Sequence, residues 1–231
     1  MARQLDRSIL QGVDIFRDLD DAALDDVLLS AQRRRIAAGE TVFRQGDTAR
    51  AFYVLVEGRL KVAQVTPEGQ QVVVRFIGPN EMFGCVAVSG GTVYPGTATA
   101  VVDSLAIGWH RDMTERLMDR HPRIARNALG TVGDRLQETQ ARVRELSTER
   151  VERRIAHALV RLGAQAGKPV QNGVEIEFPI TRQDIAEMTG TTLHTVSRTL
   201  SDWEGRQIVQ GGRQRIVIRD AAALLKIAEE L

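Results

Sequence analysis

The sequence predicts an α+β protein in which an N-terminal double-stranded β-helix (jelly roll) is followed by a long dimerisation helix and a C-terminal winged helix-turn-helix. Three observations carry this prediction: short β-rich runs between turn signals, an apolar repeat of three and four residues, and two helical patterns that precede a hairpin. The predicted domains span residues 1–112, 113–148 and 149–231. The first includes N-terminal helices, and the second includes a hinge.

Composition limits the classes of protein to consider. The chain has 231 residues, 43% of them hydrophobic and 26% charged, which is typical of globular proteins. Its formal net charge is only +1, so a nucleic acid would have to be bound by a local basic patch. The single cysteine, Cys85, excludes a disulfide framework within one chain. Charged residues interrupt the apolar stretch of Met1 to Leu10, so we expect no signal peptide and a cytoplasmic location. Nothing elsewhere approaches the roughly 18–20 apolar residues that a membrane span needs, so we expect no such span.

The pattern of the first half of the chain predicts short strands. Between Thr41 and Trp109, glycine- and proline-containing turn signals separate runs rich in Val, Ile, Phe and Thr. The predicted strands are Phe52–Val56, Leu60–Val65, Val72–Ile77 and Thr97–Val102. Short strands at regular spacing favour a barrel or jelly roll over a parallel sheet with crossover helices.

An enzyme with a cupin-like barrel is the alternative from another functional class. Such barrels bind a metal through histidines and carboxylates. The stretch from Thr41 to Trp109 contains no histidine, and the first one, His110, follows it. Neither a Ser-His-Asp arrangement nor a phosphate-binding glycine loop is evident. We therefore expect that the chain is not an enzyme and holds no metal.

A long helix is predicted after Pro122, a residue that suits the first helical position. Apolar positions then alternate in steps of three and four, which is the spacing of a coiled-coil seam. The seam residues are Leu129, Val132, Leu136, Thr139, Val143 and Leu146. A seam this narrow favours packing against a second copy of the helix, and hence a homodimer. The alternative is a long amphipathic helix that packs on its own β domain.

The stretch from Ile180 to Asp220 has the pattern of a helix-turn-helix with a β-hairpin wing. Thr181 is suited to cap a first helix, and Gly190 allows the chain to reverse after it. A second helix then begins near Thr191 or Thr192. Its buried face carries apolar side chains spaced by four and three, namely Val196, Leu200 and Trp203. The opposite face would enter the major groove of DNA.

Arginine supplies the positive charge of this segment. Six arginines stand against four carboxylates from Thr181 to Arg219, a local net charge of +2. Taken singly, each arginine could be a solvated surface residue, but together they fall on the hairpin tip and the outer helix face. The predicted base contacts are Leu193, His194, Ser197 and Arg198. The predicted phosphate contacts are Thr181, Arg182, Thr191, Thr192, Thr195, Arg213 and Arg215.

Several motifs in a fixed order resemble the Crp/Fnr family, bacterial transcription regulators related to the cyclic AMP receptor protein. They are Ala38-Gly39-Glu40 with Gly46-Asp47, Val56-Glu57-Gly58, Met82-Phe83-Gly84, Arg154-Ile155-Ala156, Thr181 to Ala186, and Thr195 to Arg198. The resemblance extends from about Ile15 to Asp220. It implies a cyclic-nucleotide-binding-like β domain, a homodimer, double-stranded DNA with a two-fold symmetric site as partner, RNA polymerase as a further partner, and allosteric control.

The resemblance also implies an effector pocket in the β domain, and it indicates which ligand-binding residues that pocket lacks in this chain. Members that bind cyclic AMP have a glutamate after the Phe-Gly pair and an arginine about ten residues later, where this chain has Cys85 and then Tyr94 or Pro95. Cyclic AMP is therefore not expected as the signal, and one cysteine is too few for an iron–sulfur cluster. The pocket expected from the resemblance comprises Phe83, Gly84, Cys85, Tyr94, Thr97 and Thr139.

Three kinds of signal remain open. The first is haem that binds nitric oxide or another gas, with His110, His121, Tyr94 or Cys85 as the axial ligand. The second is oxidation of the Cys85 thiol, which otherwise reads as a small buried hydrophobe. The third is no signal at all, in which case the chain binds DNA constitutively.

The predicted recognition helix departs from the common pattern of the family at one position. Where members usually carry a glutamate three residues before the serine, this chain has His194, whereas the arginine that follows the serine is retained as Arg198. The resemblance implies that Arg198 reads a guanine through its O6 and N7 acceptors. A histidine does not accept hydrogen bonds as a carboxylate does, so we expect a different half-site at that base.

Overall fold

The computed structural model describes residues 6–88 and 90–229 of the chain. It divides into two compact units, which are residues 1–65 with 75–138, and residues 66–74 with 139–231. The stretch Met1 to Leu10, for which we expect no signal peptide, lies partly outside the described residues. None of the described helices is both long enough and apolar enough to cross a membrane.

The first unit begins with two short helices, α1 (Arg7–Gln11) and α2 (Asp21–Leu29). An aspartate precedes each helix and accepts a hydrogen bond from an amide of the first turn. Asp6 accepts from the amide of Ser8, and Asp20 accepts from the amide of Ala23, each at 2.8 Å. These carboxylates satisfy amides that have no partner within the helix, so they define where both helices begin.

Eight strands follow and form two four-stranded sheets. They are β1 (Gln32–Ile36), β2 (Thr41–Phe43), β3 (Ala51–Glu57), β4 (Leu60–Val65), β5 (Gln71–Ile77), β6 (Met82–Phe83), β7 (Thr97–Ala100) and β8 (Ser104–His110). One sheet has the order β1-β8-β3-β6 and the other the order β2-β7-β4-β5. Because most sheet neighbours are not consecutive in the chain, the strands form a jelly roll rather than a meander. The predicted jelly roll is confirmed.

The end of β7 differs from the prediction. We expected a strand from Thr97 to Val102, but β7 ends at Ala100 and the chain bends over the next three residues. The amide of Val101 donates to the carbonyl of Arg59 at 2.8 Å, and the carboxylate of Asp103 accepts from the amide of Ala38 at 2.9 Å. The prediction was wrong at the last two positions because the chain must reverse there to enter β8.

Trp109 on β8 anchors one half of the core of the first unit. Its side chain is fully buried, and its indole Nε1 donates to the carbonyl of Val27 on α2 at 2.9 Å. The ring stacks on Phe52 with centroids 4.9 Å apart and meets the edge of Phe16 at 5.3 Å. The indole therefore joins α2 to the first sheet with its only polar atom satisfied.

Two helices leave the jelly roll, α3 (Arg111–Arg120) and α4 (Pro122–Thr148). Pro122 is the first residue of α4, as predicted. Early in α4, Ile124 and Ala128 pack into the core of the first unit. The apolar seam residues point elsewhere, because Leu129, Val132, Leu136, Val143 and Leu146 are between 41% and 74% exposed. The seam is therefore not covered by the part of the chain that the structure describes.

The second unit contains the remaining helices and a small sheet. Its elements are α5 (Val151–Ala166), β9 (Gly167–Val170), β10 (Gly173–Ile176), α6 (Arg182–Thr189), α7 (Leu193–Gly205), β11 (Val209–Gly212), β12 (Arg215–Ile218) and α8 (Ala221–Glu229). The strands are ordered β11-β12-β10-β9. One face of α5 is buried, and the predicted helix-turn-helix and wing are both present.

The turn at Gly58 gives a stability prediction with an internal control. Gly58 has a φ of +94°, and a Cβ there would lie 2.7 Å from the carbonyl oxygen of Asp103 and from the Cα of Ser104. Gly69 has a φ of +83°, but a Cβ there would meet no described atom within 4 Å. We expect Gly69→Ala to cost about 1–3 kcal/mol of unfolding free energy from backbone strain alone. Gly58→Ala should cost about 1–3 kcal/mol more because backbone must move.

Urea denaturation of the two variants and the wild type measures both costs. Equal losses for Gly58→Ala and Gly69→Ala would show that the close approach at Gly58 does not constrain the β3–β4 turn.

Candidate nucleic-acid interface

Helix α6 is held at both ends by side-chain and backbone features that the sequence predicted. The hydroxyl of Thr181 accepts from the amide of Asp184 at 3.0 Å, and the carboxylate of Asp184 accepts from the amide of Thr181 at 2.9 Å. This reciprocal pair is a capping box. At the other end, Gly190 has a φ of +60° and a ψ of 44°, the left-handed conformation that ends helices. The cap at Thr181 and the reversal at Gly190 are both confirmed.

Helix α7 begins after Thr192, whose hydroxyl accepts from the amide of Thr195 at 3.2 Å. One face of α7 is buried, with Val196, Leu200 and Trp203 at most 2% exposed. The opposite face, over the first two turns, carries the four predicted base contacts at neighbouring surface positions: Leu193, His194, Ser197 and Arg198. Of these, Ser197 is half-buried and the other three are exposed. The structure thus brings the four residues together on one accessible surface.

The threonines that were predicted to contact phosphates already serve the helix ends. Thr181 caps α6, and the hydroxyls of Thr192 and Thr195 lie 3.0 Å apart at the start of α7. The amide of Thr191 donates to the carbonyl of Ala186 at 3.1 Å. Phosphate contacts from these threonines remain a prediction. The hydrogen bonds at the helix ends would fix the positions of the groups that make such contacts.

The arginines of the interface fall into two groups. Arg182 at the start of α6 pairs with Glu204 of α7 at 3.3 Å, and Arg215 of the wing makes a two-pronged pair with Glu175. For Arg198 and Arg213, the described residues include no ion-pair partner. Both of these side chains are exposed, Arg198 on α7 and Arg213 at the turn between β11 and β12. Two of the four predicted arginine contacts therefore carry charge that no carboxylate of the described chain offsets.

The expected effector pocket in the first unit is filled by aromatic rings. Tyr94 is buried and stacks on Phe43 with centroids 3.8 Å apart, and Phe43 also stacks on Phe83 at 6.1 Å. The Tyr94 hydroxyl donates to the carbonyl of Ala51 at 2.5 Å and accepts from the amide of Ala51 at 3.1 Å. Burial raises the pKa of the Tyr94 phenol, so it stays neutral.

These residues do not fit a cyclic nucleotide bound in the manner of the cyclic AMP-binding members. Of Tyr94 and Pro95, the two residues expected at or near the position of the arginine, Tyr94 is a phenol hydrogen-bonded to the carbonyl of Ala51. Where those members carry the glutamate, Cys85 lies with its sulfur 2.6 Å from Nη1 of Arg135 on α4. The other terminal nitrogen of Arg135 donates to the carbonyl of Met82 at 2.5 Å.

The other candidates for the pocket and for a haem ligand have the following surroundings. The hydroxyl of Thr97 accepts from the amide of Gln45 at 3.0 Å, and Thr139 belongs to the second unit. His110 is exposed at the end of β8, and Nε2 of His121 lies 3.0 Å from a carboxylate oxygen of Asp26. Within the described residues, no group of three histidine, cysteine or acidic side chains is arranged to hold a metal ion.

Two contacts were missed by the sequence reasoning. Arg135 reaches a cysteine 50 residues away, and nothing in the local pattern of α4 indicates it. Glu175 was not among the predicted contacts either, although it pairs with Arg215. A signal did exist for this second contact, because opposite charges on neighbouring antiparallel strands tend to pair.

Comparison with known proteins agrees with the fold and with the presence of a helix-turn-helix domain. Residues 33–121 match the family model of the cyclic nucleotide-binding domain, and residues 153–227 match that of the Crp-like helix-turn-helix domain. The chain is 29% identical to the cyclic AMP receptor protein of Thermus thermophilus, over 95% of this chain and 98% of the relative.

Solved structures of transcription regulators also resemble this chain. The crystal structure of the Thermus thermophilus catabolite activator protein is 30% identical, with a TM-score of 0.54, over 93% of this chain and 98% of that one. FixK2 from Bradyrhizobium japonicum shares the fold with a TM-score of 0.76 at 22% identity, over 87% of this chain and 98% of that one. The chain belongs to the Crp/Fnr family of transcription regulators.

Proposed function

We propose that the chain is a homodimeric, sequence-specific DNA-binding regulator that responds through its first unit to a signal other than cyclic AMP. The observation that carries this proposal is the surface of α7, where four side chains suited to base edges lie over a helix whose opposite face is buried. The protein would act in the cytoplasm, on double-stranded DNA and together with RNA polymerase. Residues 1–112, 113–148 and 149–231 would be its sensory, dimerisation and DNA-binding parts.

The geometry of α7 supports direct readout of bases. The N-terminal turns of a recognition helix reach the base edges, and Arg198 lies on the second turn with an exposed guanidinium. Arginine binds the O6 and N7 acceptors of guanine with two hydrogen bonds. In a two-fold symmetric dimer, the half-sites would lie about one helical turn of DNA apart, roughly 34–36 Å.

The exposed seam on α4 supports the homodimer. Five apolar side chains at coiled-coil spacing stay accessible in the described chain, and a second copy of α4 would bury them. Dimerisation would also explain why only two apolar residues per heptad lie on this face, because a helix that packs on a broad sheet needs a wider apolar stripe.

The aromatic filling around Tyr94 supports a signal other than cyclic AMP. Stacked rings and a neutral phenol offer no partner for a cyclic phosphate, whereas a phosphate requires a cation or several amide donors. The signal would act on the segment from Gly84 to Thr99 and bias the dimer helices, which set the separation of the two recognition helices.

The proposed base-reading role of Arg198 can be tested against a phosphate-contacting arginine. We expect Arg198→Ala to cost about 1–3 kcal/mol of binding free energy on the selected site and to relax specificity at one base pair. Arg213→Ala should weaken selected and random duplexes by similar factors, because a phosphate contact carries no sequence information. Selection from a random library defines the site, and fluorescence anisotropy at fixed salt measures the affinities.

The comparison between the two arginines is its own control, since each variant loses one exposed positive charge. An equal loss on selected and random DNA for Arg198→Ala would refute the base-reading role. The absence of any DNA binding by the wild type would refute the proposed function as a whole.

A charge on the seam of α4 should dissociate the dimer. Leu136→Lys places a charge at the centre of the seam in both chains, and we expect the dimer to weaken about 100-fold or more. Gln137→Lys adds the same charge one position away, on an exposed residue outside the seam, and should leave the dimer intact. Sedimentation equilibrium gives both dissociation constants. A monomeric wild type, or equal effects of the two lysines, would contradict the coiled-coil interpretation.

A further inference from the structure

The wing of the second unit carries an ion pair that the DNA-binding proposal does not use. Nε of Arg215 donates to one carboxylate oxygen of Glu175 at 2.6 Å, and Nη2 donates to the other at 2.7 Å. Two parallel hydrogen bonds between a guanidinium and a carboxylate are the strongest arrangement that such a pair can adopt. The side chain of Glu175 is 26% exposed and that of Arg215 is 50% exposed, so the pair lies at the edge of the solvent.

The strand register explains why these two side chains meet. Strands β10 and β12 are antiparallel, and Glu175 lies directly opposite Val217. Arg215 is two residues from Val217 and therefore projects from the same face of the sheet as Glu175. Diagonal neighbours of this kind are within reach of long side chains. The pair is thus set by the backbone of the sheet and needs no rearrangement of the hairpin.

Charge also indicates that the two groups stabilise each other. The hydrogen bond from Arg215 lowers the pKa of the Glu175 carboxyl, and the same bond raises the pKa of the Arg215 guanidinium. Both groups are therefore ionised over the whole physiological pH range. Their charges cancel where β12 begins, two residues from Arg213, which is exposed in the turn of the wing.

We propose that Glu175 withholds Arg215 from DNA phosphates and so lowers the affinity of the regulator for DNA of random sequence. The inference rests on the proposed function and adds detail to it, because it assigns different roles to Arg213 and Arg215, which were both predicted to contact phosphates. Arg213 contacts the phosphate backbone, whereas Arg215 stays with Glu175. Positive charge that meets phosphates supplies most of the affinity for non-specific DNA, so an arginine held by a carboxylate improves discrimination between sites.

The salt dependence of binding measures how many phosphates are contacted. The logarithm of the binding constant falls with the logarithm of salt concentration, with a slope of about −0.9 per phosphate neutralised on double-stranded DNA. On a random-sequence duplex of 40 base pairs, roughly four helical turns of about 10 base pairs each, Glu175→Gln should release Arg215. The slope should then steepen by about 0.9 for each protomer bound. Arg215→Gln alone should leave the slope near that of the wild type, whereas Arg213→Gln should reduce it.

Two controls separate release of Arg215 from the simple loss of a negative charge. Glu177→Gln removes an exposed carboxylate two residues along the chain from Glu175, one for which the described residues include no arginine partner. It should change the slope much less than Glu175→Gln does. The double variant Glu175→Gln with Arg215→Gln should return to the slope of the wild type, because no arginine remains to be released.

The outcomes are distinct. An unchanged slope for Glu175→Gln, or an equal steepening with and without Arg215, would overturn the inference while leaving DNA binding itself intact. Failure of the wild type to bind any duplex would overturn the proposed function and this inference with it. Because both side chains lie at the surface, thermal unfolding followed by circular dichroism should show all variants folded like the wild type.

Discussion

The capping box of Thr181 and Asp184 is the interaction on which the DNA-binding surface depends. It defines where α6 starts, and the left-handed Gly190 defines where α6 stops, so the path of the chain into α7 is constrained from both sides. Once α7 starts at its own threonine cap, burial of Trp203 and its apolar neighbours sets the rotation of the helix. The exposed face with Arg198 follows from these local constraints and from packing on the opposite side.

Local signals explain what could be predicted and what could not. Pro122, the capping threonine and Gly190 act within one helical turn, so the starts of α4, α6 and α7 and the end of α6 were predicted close to where they are observed. The wing was also predicted, from the pattern of the stretch that ends at Asp220. By contrast, the end of β7 depends on a hydrogen bond to Arg59, and the partners of Cys85 and Arg215 are 50 and 40 residues away. Such contacts are decided by tertiary packing, which a single sequence does not display.

The two units differ in where their polar groups lie, in the interior of the first and at the surface of the second. Around Tyr94, aromatic rings fill the interior, and the hydroxyl is satisfied by the backbone of a neighbouring strand. In the second unit, the arginines of α7 and the wing are exposed, and a carboxylate pairs with Arg215 but, among the described residues, not with Arg198 or Arg213. A neutral interior filled with aromatic rings and a surface that carries arginines suit different ligands. The first suits an uncharged group or no ligand, and the second suits a polyanion.

The exposed seam of α4 has a consequence for how the regulator would respond to its own abundance. A monomer leaves Leu129 74% exposed and would bury the apolar side chains of the seam only on pairing, so pairing would follow mass action. If two half-sites must be occupied together, the fraction of DNA bound rises with about the square of the protein concentration while monomers predominate. The apolar seam of α4 would thus convert a gradual change in the concentration of the protein into a sharper change in the fraction of its DNA sites that are occupied.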